Sequence, residues 1–598
     1  MEQPAISDYG FLSDSRSGAL VDRGGSIDWW CPDRFDAPSV FGRLLDPDAG
    51  HWRLAPVAAG GPGHRTERAY VTDSLVLRTV HHTPQGSVAV TDALAAEFGA
   101  RGHELGMNSP AVLLRVVEGL TGRVRMKLDF RPRPEYGLLT PYLHDQPGGG
   151  VLAAAGPVVV ALRADGMPLH AGRDRVHQEF EVDAGQVIGF DLAYGRAYGA
   201  APARLDPVTT LAETVRAWQA YRSVHRYDGR YPDLVRHSAT VLTGLTYARS
   251  GAVAAALTTS LPEQLGGDRN YDYRYSWLRD FAMTMRALWV AACPTEATRL
   301  FAWTARSIGR VGDEPVPVLF GLEGERDISE HECPHLRGYA DSRPVRIGND
   351  AWLQRQLDVP GEVISAVWRL HDYLGDIFDE ELREMVLGLT EQVVRTWHMP
   401  DRGIWETREA ERHYLTSKAL CWVAMDRAVA LAPKLGERAD PRRWAAIRDE
   451  IRAAVLREGW NERVGAYTAA FGSPSLDASV LMLPVVGFLP ATDPRMRSTI
   501  EAVARELGTD DGLVRRWDTD PAGFLLCSFW LVECLVLAGE QARAEALFER
   551  VVGHANDVGL LSEQMDLTTG AHLGNTPQAL SHIGLINAAW RLTDPTSD

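Results

Sequence analysis

Two glutamates stand where loops give way to helices. Glu563 lies in "GLLSEQMDLTTGAHLGNTPQALSHIGLINAAW" (559–590), after an apolar run and before a Gly- and Asn-punctuated turn. Alone it reads as a solvated loop acid, since acids are mostly exposed. Glu406 follows Trp405 in "RGIWETREAERHYLTSKALCWVAMDRAV", ahead of a helix with Leu420, Val423 and Met425 on its apolar positions. A carboxyl against Trp in a partly dry pocket has a raised pKa, as a proton donor at neutral pH requires. One protonated and one ionised carboxyl are the minimum equipment for cleaving a glycosidic bond.

A third junction, "NYDYRYSWLRDFAMTMRAL" (270–288), brings Tyr271, Tyr273, Tyr275, Trp277, Arg279 and Asp280 to the start of a helix. Such a run suits core packing and a local ion pair. It also suits a sugar, whose C–H face stacks on aromatics while its hydroxyls accept hydrogen bonds from Arg and donate them to Asp. The stretch 309–350 contains His331-Glu332-Cys333-Pro334-His335, a literal H-E-x-x-H. That motif binds zinc only from one face of a continuous helix. Pro334 would break such a helix and no third ligand follows at a familiar interval, so the match is read as a coincidence.

The elements that must position these groups change character near residue 205. Before it, β-branched runs broken by Gly, Asp or Asn, such as "SLVLRTVHHTPQGSVAVTDAL" and "AVLLRVVEGLTGRVRMKLDF", predict an antiparallel β-sandwich over 1–205. Residues 206–230 read as a helical linker, with Asp206 as N-cap and Pro207 at the first helical position. From 231 to 598 the period is helical, with about twelve helices, among them 277–291, 361–374, 415–432, 523–538 and 577–592. Six helical hairpins make a closed (α/α)6 barrel; an α-solenoid is the rival. No regular repeat of 33 to 47 residues supports the solenoid. Long connections such as 309–350 point to function, because loops above roughly 12–15 residues are otherwise uncommon.

Composition narrows the partners. The 598 residues carry 62 basic and 79 acidic side chains, a formal charge of −17. That argues against nucleic acid and anionic membranes and favours solubility and neutral or cationic ligands. No apolar run approaches the length of a membrane span, and the N-terminus has no signal-peptide pattern. Six scattered cysteines, several in apolar stretches, read as buried thiols of a cytoplasmic protein.

Taken together, "ISDYGFLSDSRSGALVDRGGSIDWWCPDRFDAPSVFGRLLD", "YDYRYSWLRDFAMTMRAL", "HLRGYADSRPVRIGN", "GIWETR", "FLLCSFWLVECL" and "GLLSEQMD…GNTPQALSHIGLINAA" resemble glycoside hydrolase family 15. This is the family of glucoamylases, glucodextranases and bacterial or archaeal trehalases, and the likeness runs strongest toward its intracellular trehalase-like branch. The resemblance implies a β-sandwich, a helical linker and an (α/α)6 barrel. It implies Glu406 as general acid and Glu563 as general base of an inverting reaction. It places Tyr273, Trp277, Arg279 and Asp280 around the non-reducing glucose, with Arg346 and Asn349 on a loop lining the pocket beside Trp405. The chain departs from the pattern at Cys333, where Leu is usual, at Leu580, which replaces an aromatic, and at Gln564, where the branch often has a second Glu.

The implied substrate is a small α-glucoside, α,α-trehalose first, with short α-gluco-oligosaccharides as the alternative. No cofactor enters this chemistry, although some members of the branch depend on phosphate and magnesium. A sugar-binding protein would have lost one of the glutamates, and an inverting phosphorylase could dispense with one; both are present. The oligomeric state, a homo-oligomer included, stays open.

Overall fold

The computed structural model describes residues 3–594 apart from 148, 292, 313 and 372–377. Between Gly10 and Arg196 the chain forms antiparallel strands, as the alternating pattern predicts. One long strand, Val112–Arg131, joins two sheets into the sandwich. Its first half pairs with Gly86–Leu94 and Val187–Arg196, its second with His51–Pro56 and Val176–Asp183. Between the layers Arg115 is fully buried, yet each polar contact is met: Asp92 at 2.8 Å and the carbonyls of Trp52 and Gly25 at 2.8 and 2.9 Å.

Helix α1 (Pro207–Ser223) follows, its N-cap Asp206 accepting from the Thr209 amide, as the Asp-Pro pair predicts. Twelve more α-helices lie among the described residues: α2 (Pro232–Leu245), α3 (Phe281–Val290), α4 (Pro294–Ile308), α5 (Val359–Leu370), α6 (Glu380–Thr396), α7 (Leu415–Leu435), α8 (Pro441–Glu458), α9 (Met482–Val485), α10 (Pro494–Glu506), α11 (Leu525–Leu537), α12 (Gln541–Val552) and α13 (Ala579–Thr593). Asp-Pro starts recur at α8 and α10 for the same capping reason. The helix expected over 361–374 is α5, its 372–374 end lying outside the described residues.

Helices α3, α5, α7, α9, α11 and α13 pack each on the next, and α13 returns to α3. That closure makes the (α/α)6 barrel and excludes the open solenoid. The inner helix α11, "LLCSFWLVECLVL", is buried throughout because it has neighbours on every side, whereas outer helices such as α10 keep one polar face. All connections that lead from an outer to an inner helix must emerge at the same end of such a barrel. The six cysteines are unpaired, five of them buried. No helix among the described residues is long and apolar enough to cross a membrane.

Candidate active site

The outer-to-inner loops meet around one cavity of about 550 Å³. Each of the six supplies part of its wall: Glu263 and Tyr273 before α3, Asn349 before α5, Glu406 before α7, Asp477 before α9, Arg516 before α11 and Glu563 before α13. Trp277, Arg279, Asp280 and Trp405 line it as well. The structure thus gathers Glu406, Glu563, Tyr273, Trp277, Arg279, Asp280, Asn349 and Trp405 into one pocket. Arg346 is the exception. Its guanidinium donates to the carbonyls of Asp268 and Asn270 at 2.7 and 3.0 Å and lies over the ring of Tyr271, so it braces the wall from behind.

Glu406 sits in left-handed backbone, φ 55°, a conformation that costs a non-glycine residue energy and persists only where its surroundings hold it. Gln354 donates to its carbonyl at 3.2 Å. Its carboxylate Oε1 accepts from Trp277 Nε1 at 2.7 Å, Arg279 Nη1 at 2.9 Å and Gln356 Nε2 at 3.4 Å. The expectation that the neighbouring Trp405 forms its dry wall is therefore corrected. The Trp405 indole donates to Asp477 at 3.0 Å, and its ring packs on Phe524 at 5.4 Å. A residue next in sequence points elsewhere once the loop turns, so Glu406 meets a charged partner instead.

Glu563 is 2 % exposed, immediately before the short strand Gln564–Asp566. That strand pairs with Ala522–Phe524 and His572–Leu573, which fixes the direction of the carboxyl. Gly574 follows at φ 71°, and a Cβ there would lie 2.3 Å from Glu563 Oε2. Only glycine fits, for its backbone and for its lack of a side chain. Burial and then Glu263 raise the Glu563 carboxyl to about 8, while Arg516 and the Tyr273 hydroxyl pull the other way. Glu263 is lowered instead: burial opposes its charge, but Arg516 and Arg269 outweigh that. Asp280 is raised to about 6, first by burial, against the pull of Arg279.

Sequence reasoning missed the Glu263–Arg516 pair at 2.6 Å, which Asp520 extends at 2.7 Å. Arg516 also lies over the Trp517 ring at 4.6 Å, and Gln564 Oε1 stands 3.5 Å from its Nη2. A Glu at 564 would add a third carboxylate around Arg516, and Gln keeps the hydrogen bond without that charge. The signal was present in "RRWDTDP" (515–521), which mixes Arg, Trp and Asp as the 270–288 junction does. The H-E-x-x-H segment is no helix. His331–Glu332 is an exposed strand paired with Arg346–Ile347, and His335 Nε2 meets the Tyr136 carbonyl at 3.0 Å.

Residues 229–590 match the family model described as glycosyl hydrolases family 15. The chain belongs to that family. It is a glycoside hydrolase. Residues 1–203 of this family 15 hydrolase match a second model, trehalase-like, N-terminal. It is 37 % identical to a trehalase of Mycolicibacterium smegmatis, over 98 % of this chain and 91 % of that protein. A trehalase of Mycobacterium tuberculosis is 36 % identical over 98 % and 89 %. One of Thermoplasma volcanium is 31 % identical over 99 % and 94 %. A bacterial glucoamylase, solved in complex with acarbose, shares the fold at a TM-score of 0.74 and 15 % identity, covering 99 % of this chain and 95 % of its own.

Proposed function

We propose that this family 15 hydrolase cleaves α,α-trehalose to two glucoses with inversion at the attacked carbon. The observation that carries the reading is that Glu406 and Glu563, from different loops, line one cavity. Glu406 protonates the glycosidic oxygen, and Glu563 takes a proton from a water on the opposite face of the ring. One glucose leaves as the β-anomer and the other as the α-anomer. Arg279 and Asp280 hold ring hydroxyls, Tyr273 and Trp277 present their ring surfaces to the sugar, and Asn349 and Trp405 complete the wall. The relatives that align over nearly the whole chain favour trehalose over longer α-glucans.

The raised Glu563 gives this assignment a specific form. Burial and the neighbouring Glu263 raise the Glu563 carboxyl, which makes it, once ionised, a stronger proton acceptor than an exposed carboxylate. The same observation favours a second reading with the roles exchanged, Glu563 as acid and Glu406, held by Arg279, as base. Neither reading routes a step through a metal or an organic cofactor. Six unpaired cysteines support a cytoplasmic setting.

The substrate is tested by initial rates on trehalose, maltose, isomaltose and maltotetraose. Trehalose is expected to be fastest. Brisk glucose release from maltotetraose with none from trehalose would sink the substrate and leave the hydrolase standing.

A further inference from the structure

Away from the cavity, three segments meet at a cluster that the hydrolytic reaction does not use. His103 comes from the short turn Gly102–Glu104 on the sandwich side, His225 from the stretch after α1, and Glu296 from the first turn of α4. Their donor atoms all lie within 4.8 Å of one another. His225 and Glu296 are each 6 % exposed.

The hydrogen bonds decide where the protons are. His225 Nδ1 lies 2.7 Å from the Tyr221 carbonyl, which only accepts, so Nδ1 carries the hydrogen and Nε2 of the neutral ring presents a lone pair. That Nε2 faces Glu296 Oε2 at 3.6 Å, and neither atom has a hydrogen-bond partner. Two buried lone pairs opposed in this way repel unless a cation or an added proton stands between them. The other carboxylate oxygen, Oε1, accepts from His103 Nδ1 at 2.8 Å, so this hydrogen must leave Nδ1 when an ion binds; the remote Nε2, 3.4 Å from the Thr295 hydroxyl, is where the ring would then carry it. A histidine with one nitrogen aimed at the site and the other fixed by a carbonyl or hydroxyl is the usual arrangement of a metal ligand. Beside His103 and Glu296 lies a cavity of about 20 Å³, edged by Ser15, Thr243 and Thr246, large enough for one water. Arg299 also borders it, but its guanidinium donates to the His103 carbonyl at 3.2 Å.

We propose that His103, His225 and Glu296 form a three-ligand site for a divalent transition-metal ion, zinc foremost, with water as the fourth ligand. Two imidazoles and one carboxylate are a donor set suited to tetrahedral zinc and poor for magnesium, which prefers oxygen. None of the three lines the catalytic cavity, so the ion acts as a staple between sandwich, linker and barrel.

The test uses untagged full-length protein, stripped with a chelator and titrated calorimetrically with zinc chloride, and with cobalt(II) for its visible d–d absorption. One ion per chain at micromolar affinity or tighter is expected, with a melting temperature that rises with free zinc. His103→Ala, at a half-buried position, and Glu296→Gln should each weaken binding at least about 100-fold, since a lost ligand exceeds the 10–100-fold cost of a lost supporting contact. His331→Ala should bind as the parent does. If Glu296→Gln fails to fold, His103→Ala alone decides. No saturable binding, or equal affinity in the parent and the His103→Ala protein, would overturn the site.

Discussion

Arg279 Nη1 donates to Glu406 Oε1 at 2.9 Å across 127 residues of sequence. Trp277 and Gln356 meet the same oxygen, so these hydrogen bonds of the carboxylate converge on Oε1; under the proposed mechanism Oε2 is the oxygen that serves the glycosidic bond. The contact joins the Arg279-Asp280 pair to the proposed acid, so under that reading holding the glucose ring and placing the acid are one arrangement.

Glu406→Gln and Glu563→Gln should each fold and each lower kcat on trehalose by about 10²–10⁴, the usual range for one proton transfer. An α-glucosyl fluoride, whose leaving group needs little protonation, separates the roles. Under the proposed assignment Glu406→Gln regains most of its rate on the fluoride and Glu563→Gln does not. The opposite recovery would exchange acid and base.

Inversion has a direct signature. Proton NMR of the first turnovers should show α- and β-glucose appearing in equal amounts from trehalose before mutarotation. A crystal structure with glucose bound should place the two carboxyl groups about 6.5–9.5 Å apart. Only α-glucose, or a separation near 5 Å, would indicate retention.

Gly574→Ala tests how tightly the base is held. The added Cβ would meet Glu563 Oε2 at 2.3 Å, so the carboxyl must move. A loss of at least about 10-fold in kcat is expected, because displacements near 1 Å cost up to about 100-fold. The positive φ adds roughly 1–2 kcal/mol of destabilisation, measurable by denaturant titration. Parental activity in a folded variant would remove the positional argument.

Stability should fall as the pH rises. Glu362, buried on α5, is raised to about 8, first by burial and then by Asp358 and Asp280. The native state keeps a proton that the unfolded chain releases near the ordinary value of 4.5. Its contribution is therefore full below about 4.5 and is lost as the pH climbs toward about 8. Glu563 acts with the same sign over the same window. The buried histidines His81, His237 and His582, all lowered by burial from 6.5, oppose this below about 6.5, so melting temperatures should decline between about 6.5 and 8, and Glu362→Gln should flatten that decline. An unchanged slope in the variant would count against the buried neutral carboxyl.

Much of this was legible in the residues themselves. Strand alternation and the Asp206-Pro207 helix start are local patterns, set by backbone geometry and by which face is buried, and the structure has antiparallel strands and a capped helix at those places. The aromatic and charged run 273–280 and the two glutamates were also recognisable by type and spacing. The partners of those groups were not. Trp405 precedes Glu406 yet bonds Asp477, while Arg279 reaches Glu406 from another loop. Arg346 turns behind Tyr271 instead of into the pocket, and Glu263 stands with Arg516 beside Glu563, although only the mixed run at 515–521 hinted at Arg516 and nothing local marked Glu263. Loop side chains have no period to fix their direction. Closure of the helical ring alone brings six distant loops to one end, and burial then selects which charges meet.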